Sequence, residues 1–178
     1  MAEDAASRLA HMLGIGDIAV YGQRARVRQD DLLVRSQASD ALGRASSALR
    51  DLAARYHEER IPPSSREHPF PPQEALAALR SIEQRQRAVQ DAEVQLRSAP
   101  FPAEDFVWER LRSAELQLDL LISLDIALIE RAHEVERLCG DLSPGDAESP
   151  AAVQAIDTAV SALRASLRER TALLAPPI

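Results

Sequence analysis

Apolar residues recur along most of this chain at alternating spacings of four and three, the rhythm of helices that meet along a seam. Breaks rich in proline and glycine divide the pattern. Residues 61–72 (I-P-P-S-S-R-E-H-P-F-P-P) hold five prolines, and shorter breaks lie at 99–102 (A-P-F-P) and 140–150 (G-D-L-S-P-G-D-A-E-S-P). Pro176 and Pro177 stop the last segment, and Gly14-Ile15-Gly16 interrupts the first. Proline lacks the amide that a helix interior needs, and glycine favours turns. Between the breaks the pattern predicts four long helices at about 17–60, 72–98, 102–139 and 150–174, joined by loops that include the Pro-rich loop 61–72. Such helices make an all-α fold: an antiparallel four-helix bundle, or long helical hairpins with coiled-coil-like packing, over residues 17–178. Residues 1–16 precede it as a short N-terminal helical segment with Leu9, Met12 and Leu13 on one side.

Asp17 is placed to cap the first long helix ahead of Ile18. Ala38, Leu42, Ala45, Leu49, Leu52 and Tyr56 form its seam, which weakens upstream to Ile18, Ala25 and Leu32. Gly22 and Gly43 each cost roughly 1 kcal/mol relative to alanine inside a helix, which leaves room for a break before Ala38. Unbroken, this helix is about 65 Å long. The second starts at Pro72 and turns Leu79, Ile82, Gln86, Val89 and Leu96 inward. The fourth has Ser149 as N-cap and Pro150 in its first turn. Its single stripe is Val153, Ile156, Val160, Leu163, Leu167 and Leu174.

The third helix is different. Residues 116–129 read L-Q-L-D-L-L-I-S-L-D-I-A-L-I, apolar all round. A helix of that kind needs cover on most sides, from its own bundle or from another chain. Its seam runs Val107, Leu111, Ala114, Leu118, Leu121, Asp125, Leu128, Ala132, Val135 and Cys139, and a second stripe runs Leu116, Leu120, Leu124 and Ala127. Asp125 stands where the seam demands an apolar residue. A buried carboxylate needs a partner or a raised pKa. The expectation is an arginine from a facing helix, with the polar contact fixing register or oligomeric state. Gln86 is expected to do similar work.

Composition adds three constraints. Hydrophobic residues are 46% of the 178 but aromatics only 3%, so the core is aliphatic. No lysine and no asparagine occur, as a GC-rich, bacterial-type genome would produce, and every one of the 21 basic residues is arginine. Lysine chemistry and a P-loop are therefore excluded. A net charge of −7 argues against nucleic acid and against an anionic membrane surface. One cysteine, Cys139, rules out an internal disulfide framework. No apolar run is long and uncharged enough for membrane insertion, and no signal sequence is apparent, so the expected setting is the cytoplasm.

Candidate chemistry is sparse. Glu130 and His133 have the Glu-x-x-His spacing that di-iron bundles use, and are the only metal candidates. That design needs two such motifs and further glutamates, and one motif is present. His11, His57 and His68 lie on separate segments, and Cys139 sits at a helix C-terminus, which does not activate a thiol. No nucleophile elbow or glycine-rich dinucleotide motif occurs. Phe70, within Pro69-Phe70-Pro71-Pro72, and Trp108 read as a stiffened loop and a bundle-end cap, or as anchors for a partner.

The expected function is thus that of a non-enzymatic scaffold, adaptor or assembly subunit working through protein–protein contact. The stripe Leu116, Leu120 and Leu124 is its interaction surface, followed by Trp108 and Phe70. The partner is another protein or a second copy, with a homodimer preferred; no cofactor, metal or catalytic residue is expected. A ferritin-like metal-binding or enzymatic bundle is one alternative. A granule-associated surface coat of open amphipathic helices is another.

Overall fold

The computed structural model describes residues 2–16, 19–63, 70–101, 107–109 and 115–175, with side chains from residue 5 onward and, in the helix that starts at Glu115, from residue 117 onward. Five helices of eight residues or more stand among the described residues: α1 (Ala2–Met12), α2 (Val27–Arg60), α3 (Gln73–Ser98), α4 (Glu115–Gly140) and α5 (Pro150–Leu174). Residues 107–109 are also helical, and two short 3₁₀ turns lie at Arg24–Arg26 and Asp146–Glu148. No strand occurs among the described residues. The fold is an all-α bundle.

Prolines and glycines set the boundaries largely where the pattern put them. Pro150 opens α5 behind Ser149, although the Ser149 side chain makes no capping bond. Pro72 precedes α3 as its N-cap. The expected helix at 102–139 is described from Glu115; its start at Pro102 lies outside the described residues.

The expected helix at 17–60 needs correction, because α2 begins only at Val27. Gly14 and Gly16 have φ of +67° and +63°, and Tyr21 has φ of +58°. These left-handed residues turn the chain instead of extending a helix. A side chain at Gly22 would lie 2.8 Å from the Ala19 Cβ, so the turn there requires glycine. The seam upstream of Ala38 is also different. It runs through Val27, Asp31 and Val34, all buried, whereas Ala25 is exposed and Leu32 is 52% exposed. Asp17 and Ile18 lie outside the described residues.

Four long helices form a ring: α2 packs on α3, α3 on α5, α5 on α4, and α4 on α2. The hairpins α2–α3 and α4–α5 are antiparallel. Arg35, early in α2, reaches the carbonyl of Ala99 just past α3, and Arg131 in α4 reaches Ser166 in α5. Between hairpins the neighbours run parallel. Arg44 pairs with Glu136 and Arg55 reaches the Leu142 carbonyl, so α2 and α4 ascend together. Arg85 pairs with Asp157 and Arg164 reaches the Ala88 carbonyl, so α3 and α5 descend together. The short α1 packs on α4 outside the ring.

The core is aliphatic. Leu42, Leu49, Leu52, Leu96, Leu121, Leu128, Ile129 and Ile156 are sealed within it, with Tyr56 as its largest member. At ~25 cal/mol per Å² of apolar surface, each buried leucine or isoleucine contributes about 1.5–3 kcal/mol. The α4 helix is covered on two faces. Its seam, Leu121, Leu128, Ala132, Val135 and Cys139, meets the ring; Ile122, Ile126 and Ile129 are buried as well. The stripe Leu116, Leu120, Leu124 and Ala127 is not the second covered face. Leu120 is 49% exposed, Leu124 and Ala127 are half-buried, and the Leu116 side chain lies outside the described residues.

Candidate functional site

At the end of the ring where α2 and α4 begin and α5 finishes, charged residues replace leucine in the seams. Asp31 takes a seam position between Val27 and Val34, and Asp125 one between Leu121 and Leu128. Arg170 takes one between Leu167 and Leu174. Three helices thereby deliver two acids and one base to one level of the core. All three are at most 3% exposed. The backbone favours this sharing of charge. Asp30 and Asp31 lie near the positive N-terminal end of α2, and Arg170 lies near the negative C-terminal end of α5.

Arg170 Nε donates to Asp125 Oδ1 at 2.5 Å, and its Nη2 lies 2.7 Å from Asp31 Oδ1. The second contact is an ion pair without hydrogen-bond alignment, since Asp31 Oδ1 accepts no directed bond. The other Asp31 oxygen accepts from Arg35, which also donates to the Ala99 carbonyl at 2.8 Å and so ties α2 to the end of α3. Tyr21 completes the group. Its hydroxyl donates to Asp125 Oδ2 at 2.6 Å and accepts from Arg170 Nη2 at 3.2 Å. Its backbone N–H donates to Asp30 Oδ2 at 2.8 Å, and Asp30 also faces Arg26 at 3.6 Å.

The electrostatics follow from burial. Loss of water pushes the Asp125 carboxyl above its ordinary value, more strongly than Arg170 and the Tyr21 hydroxyl pull it down. The Tyr21 phenol is pushed well above its ordinary value, first by burial and then by the charge of Asp125. Burial works against the charge on Arg170, yet Asp125, Tyr21 and Asp31 together hold its pKa well above the usual arginine range. Arg170 therefore stays charged between two acids. A phenol, a carboxylate and a guanidinium form a competent proton-handling set in principle. Here Asp125, Arg170 and the Tyr21 hydroxyl are bonded to one another and shielded from solvent among the described residues.

Sequence reasoning reached Asp125 but missed Asp31, Arg170 and Tyr21. The signal for the first two was present: a charged residue where four-three spacing requires an apolar one. Gln86 is half-buried on α3 and lies apart from this cluster. Glu130 and His133 are not brought to a metal site. Glu130 is exposed and pairs with Arg8, and His133 is half-buried. Among the described residues no group of three or more histidine, cysteine or acidic side chains is arranged to hold a metal ion. His68 lies outside the described residues. Burial pushes the Cys139 thiol up to about 12, which leaves it unreactive. Phe70 is 81% exposed, and Trp108 is half-buried against the core. No helix among the described residues is long and apolar enough to cross a membrane.

Among the described residues the far end of the ring is open. A groove of about 640 Å³ lies between the starts of α3 and α5, lined by Arg60, Glu74, Ala75, Ala78, Glu148 and Val153 among others. Tyr56 closes the core beneath it and donates to Glu148 at 2.8 Å. Compared with known proteins, the chain matches no family model, no curated protein and no solved structure.

Proposed function

We propose that this chain is a non-enzymatic helical scaffold or assembly subunit that acts through protein–protein contact along α4, with a second copy as the preferred partner. The observation that carries the reading is Leu120. It is 49% exposed on a helix whose other faces build the core, and half-buried Leu124 and Ala127 continue its ridge. Apolar ridges of this kind mark contact surfaces when they are continuous. The enclosed state of the Asp125–Arg170 cluster supports a structural role for its charges over a catalytic one. A single free thiol suits a reducing compartment such as the cytoplasm.

The test is sedimentation of the protein and of Leu120→Glu over a wide concentration range, paired with denaturant melts. The substitution is on the surface, so stability is expected to change by no more than about 0.5 kcal/mol. Association is expected to weaken at least about tenfold, since a carboxylate would have to be buried at the contact. A parent and variant that are equally monomeric and equally stable would remove the self-association reading.

A further inference from the structure

The groove at the starts of α3 and α5 lies beside the most exposed large apolar side chain among the described residues. Phe70 is 81% exposed, against 63% for Val94, 52% for Leu32 and 49% for Leu120. Pro71 and Pro72 join it to α3, and Pro72 is extended, with φ of −57° and ψ of 129°. Successive prolines leave such a link little freedom. The ring is thereby held in water two residues before Pro72, where the wall of the groove begins. Small or apolar side chains line that wall, among them Ala75, Ala77, Ala78, Pro150 and Val153. They leave about 640 Å³, ample for a phenyl ring. The rim carries both signs of charge. Arg60 and Glu74 are exposed, and neither is in an ion pair among the described residues; Glu148 stands beside them.

We propose that Phe70 of one copy seats in the α3–α5 groove of a second copy, whose own Phe70 seats in the groove of the first, about a two-fold axis. Anchor and socket lie a few residues apart on one surface, as a self-complementary patch requires. An aromatic ring in an apolar pocket is the kind of contact on which binding energy concentrates. A two-fold at this rim lets Arg60 of each copy meet Glu74 or Glu148 of the other, so the free charges attract across the contact. An aromatic residue of an unrelated protein would fill the socket and leave Phe70 in water. The patch is small, so the contact belongs with weak, concentration-dependent interfaces. It does not rest on the α4 reading. Leu120 lies near the start of α4, at the opposite end of the bundle.

The test reads the methyl NMR signals of Ala75, Ala78 and Val153 in the full chain, from about 10 μM to about 1 mM, where weak contacts form. In the unaltered protein they are expected to move with concentration, under the ring current of an arriving Phe70. In Phe70→Ser they are expected to stay fixed, and sedimentation at the same concentrations should show association weakened at least about tenfold. Ala77→Arg, which crowds the socket from its exposed wall, should have the same effect. Both positions are exposed, so thermal melts are expected to be unchanged. Leu120→Glu should leave the movement of the groove methyls intact, whatever it does to contact along α4. Methyl signals that ignore concentration, or that move equally in Phe70→Ser, would overturn the proposal. So would signals that differ between parent and Phe70→Ser at the lowest concentration, since they would put the ring in its own groove.

Discussion

Two tyrosines close the two ends of this bundle, and each donates its hydroxyl to a carboxylate, Tyr21 to Asp125 and Tyr56 to Glu148. Both rings are buried, at 2% and 0% exposure, but their acceptors are not alike. Asp125 is sealed with a cation and a second acid, whereas Glu148 faces water beside the groove at the starts of α3 and α5. The contrast shows what a buried polar group demands. In the sealed end each partner is answerable for the others, because an orphaned charge there meets no solvent. At the open end water takes over any bond that is lost.

The largest test of that contrast is Arg170→Met. It leaves Asp125 without its cation and Asp31 with Arg35 alone. A loss of about 3–5 kcal/mol in urea melts is expected. Adding Asp125→Leu to it should restore part of the loss, giving a coupling energy above about 1 kcal/mol in the double-mutant cycle. Additive losses would show that the two side chains do not act as a pair.

Next in size is Tyr21→Phe, expected to cost about 1–3 kcal/mol because Asp125 Oδ2 is left without a donor. Tyr56→Phe should cost less, about 0.5–1.5 kcal/mol, because Glu148 is hydrated once released. Equal costs in the two variants would erase the distinction between the ends. Alkali sharpens the same comparison. Above pH 10 the unfolded chain loses its tyrosine protons while the native Tyr21 keeps its own, so the native state binds more protons and stability falls as pH rises. Tyr56 is displaced in the same direction, chiefly by burial and then by Glu148. Tyr21→Phe is expected to flatten this alkaline fall more than Tyr56→Phe, as read from melts taken between about pH 9 and 11.

The smallest effect is expected at Arg44→Ala, which breaks an exposed bidentate pair with Glu136. Its cost should stay below about 1 kcal/mol and shrink further in salt. Arg44 holds the Glu136 carboxyl below its ordinary value, so the pair stabilises at neutral pH and that contribution fades as pH drops through the native value. The variant should lose this acid-side dependence in melts taken from about pH 6 downward. A cost comparable to that of Arg170→Met would mean that burial is not what separates these ion pairs.

The sequence carried the fold where local chemistry and spacing agreed. Pro72 and Pro150 start α3 and α5, and Ala38 through Tyr56 are buried at each seam position that the spacing marks. It misled upstream of Ala38. A glycine-punctuated turn and a helix seam both hold apolar residues, and only the backbone angles at Gly14, Gly16 and Tyr21 separate them. The cluster was half legible. Asp125 stood out as a charge in an apolar seam, and Asp31 and Arg170 carry the same mark once Val27 and Leu174 frame them. Tyr21 carried none, because its place depends on a turn that brings it across from a segment 104 residues away from Asp125. Likewise, the spacing did not mark Ile122 and Ile126 as buried or Leu120 as open, because the cover on α4 outside its seam comes from tertiary packing.

In chain order the cluster is written acid first and base last: Tyr21, Asp31, Asp125, and only then Arg170. During synthesis, a ribosome that has delivered α2, α3 and α4 has supplied Asp125 with no countercharge from α5. Closure around those three helices alone would bury the Asp125 carboxyl with the Tyr21 hydroxyl but without Arg170, a setting that favours its neutral form. The cation that lets Asp125 stay charged in the core is thus carried by the last helix of the chain.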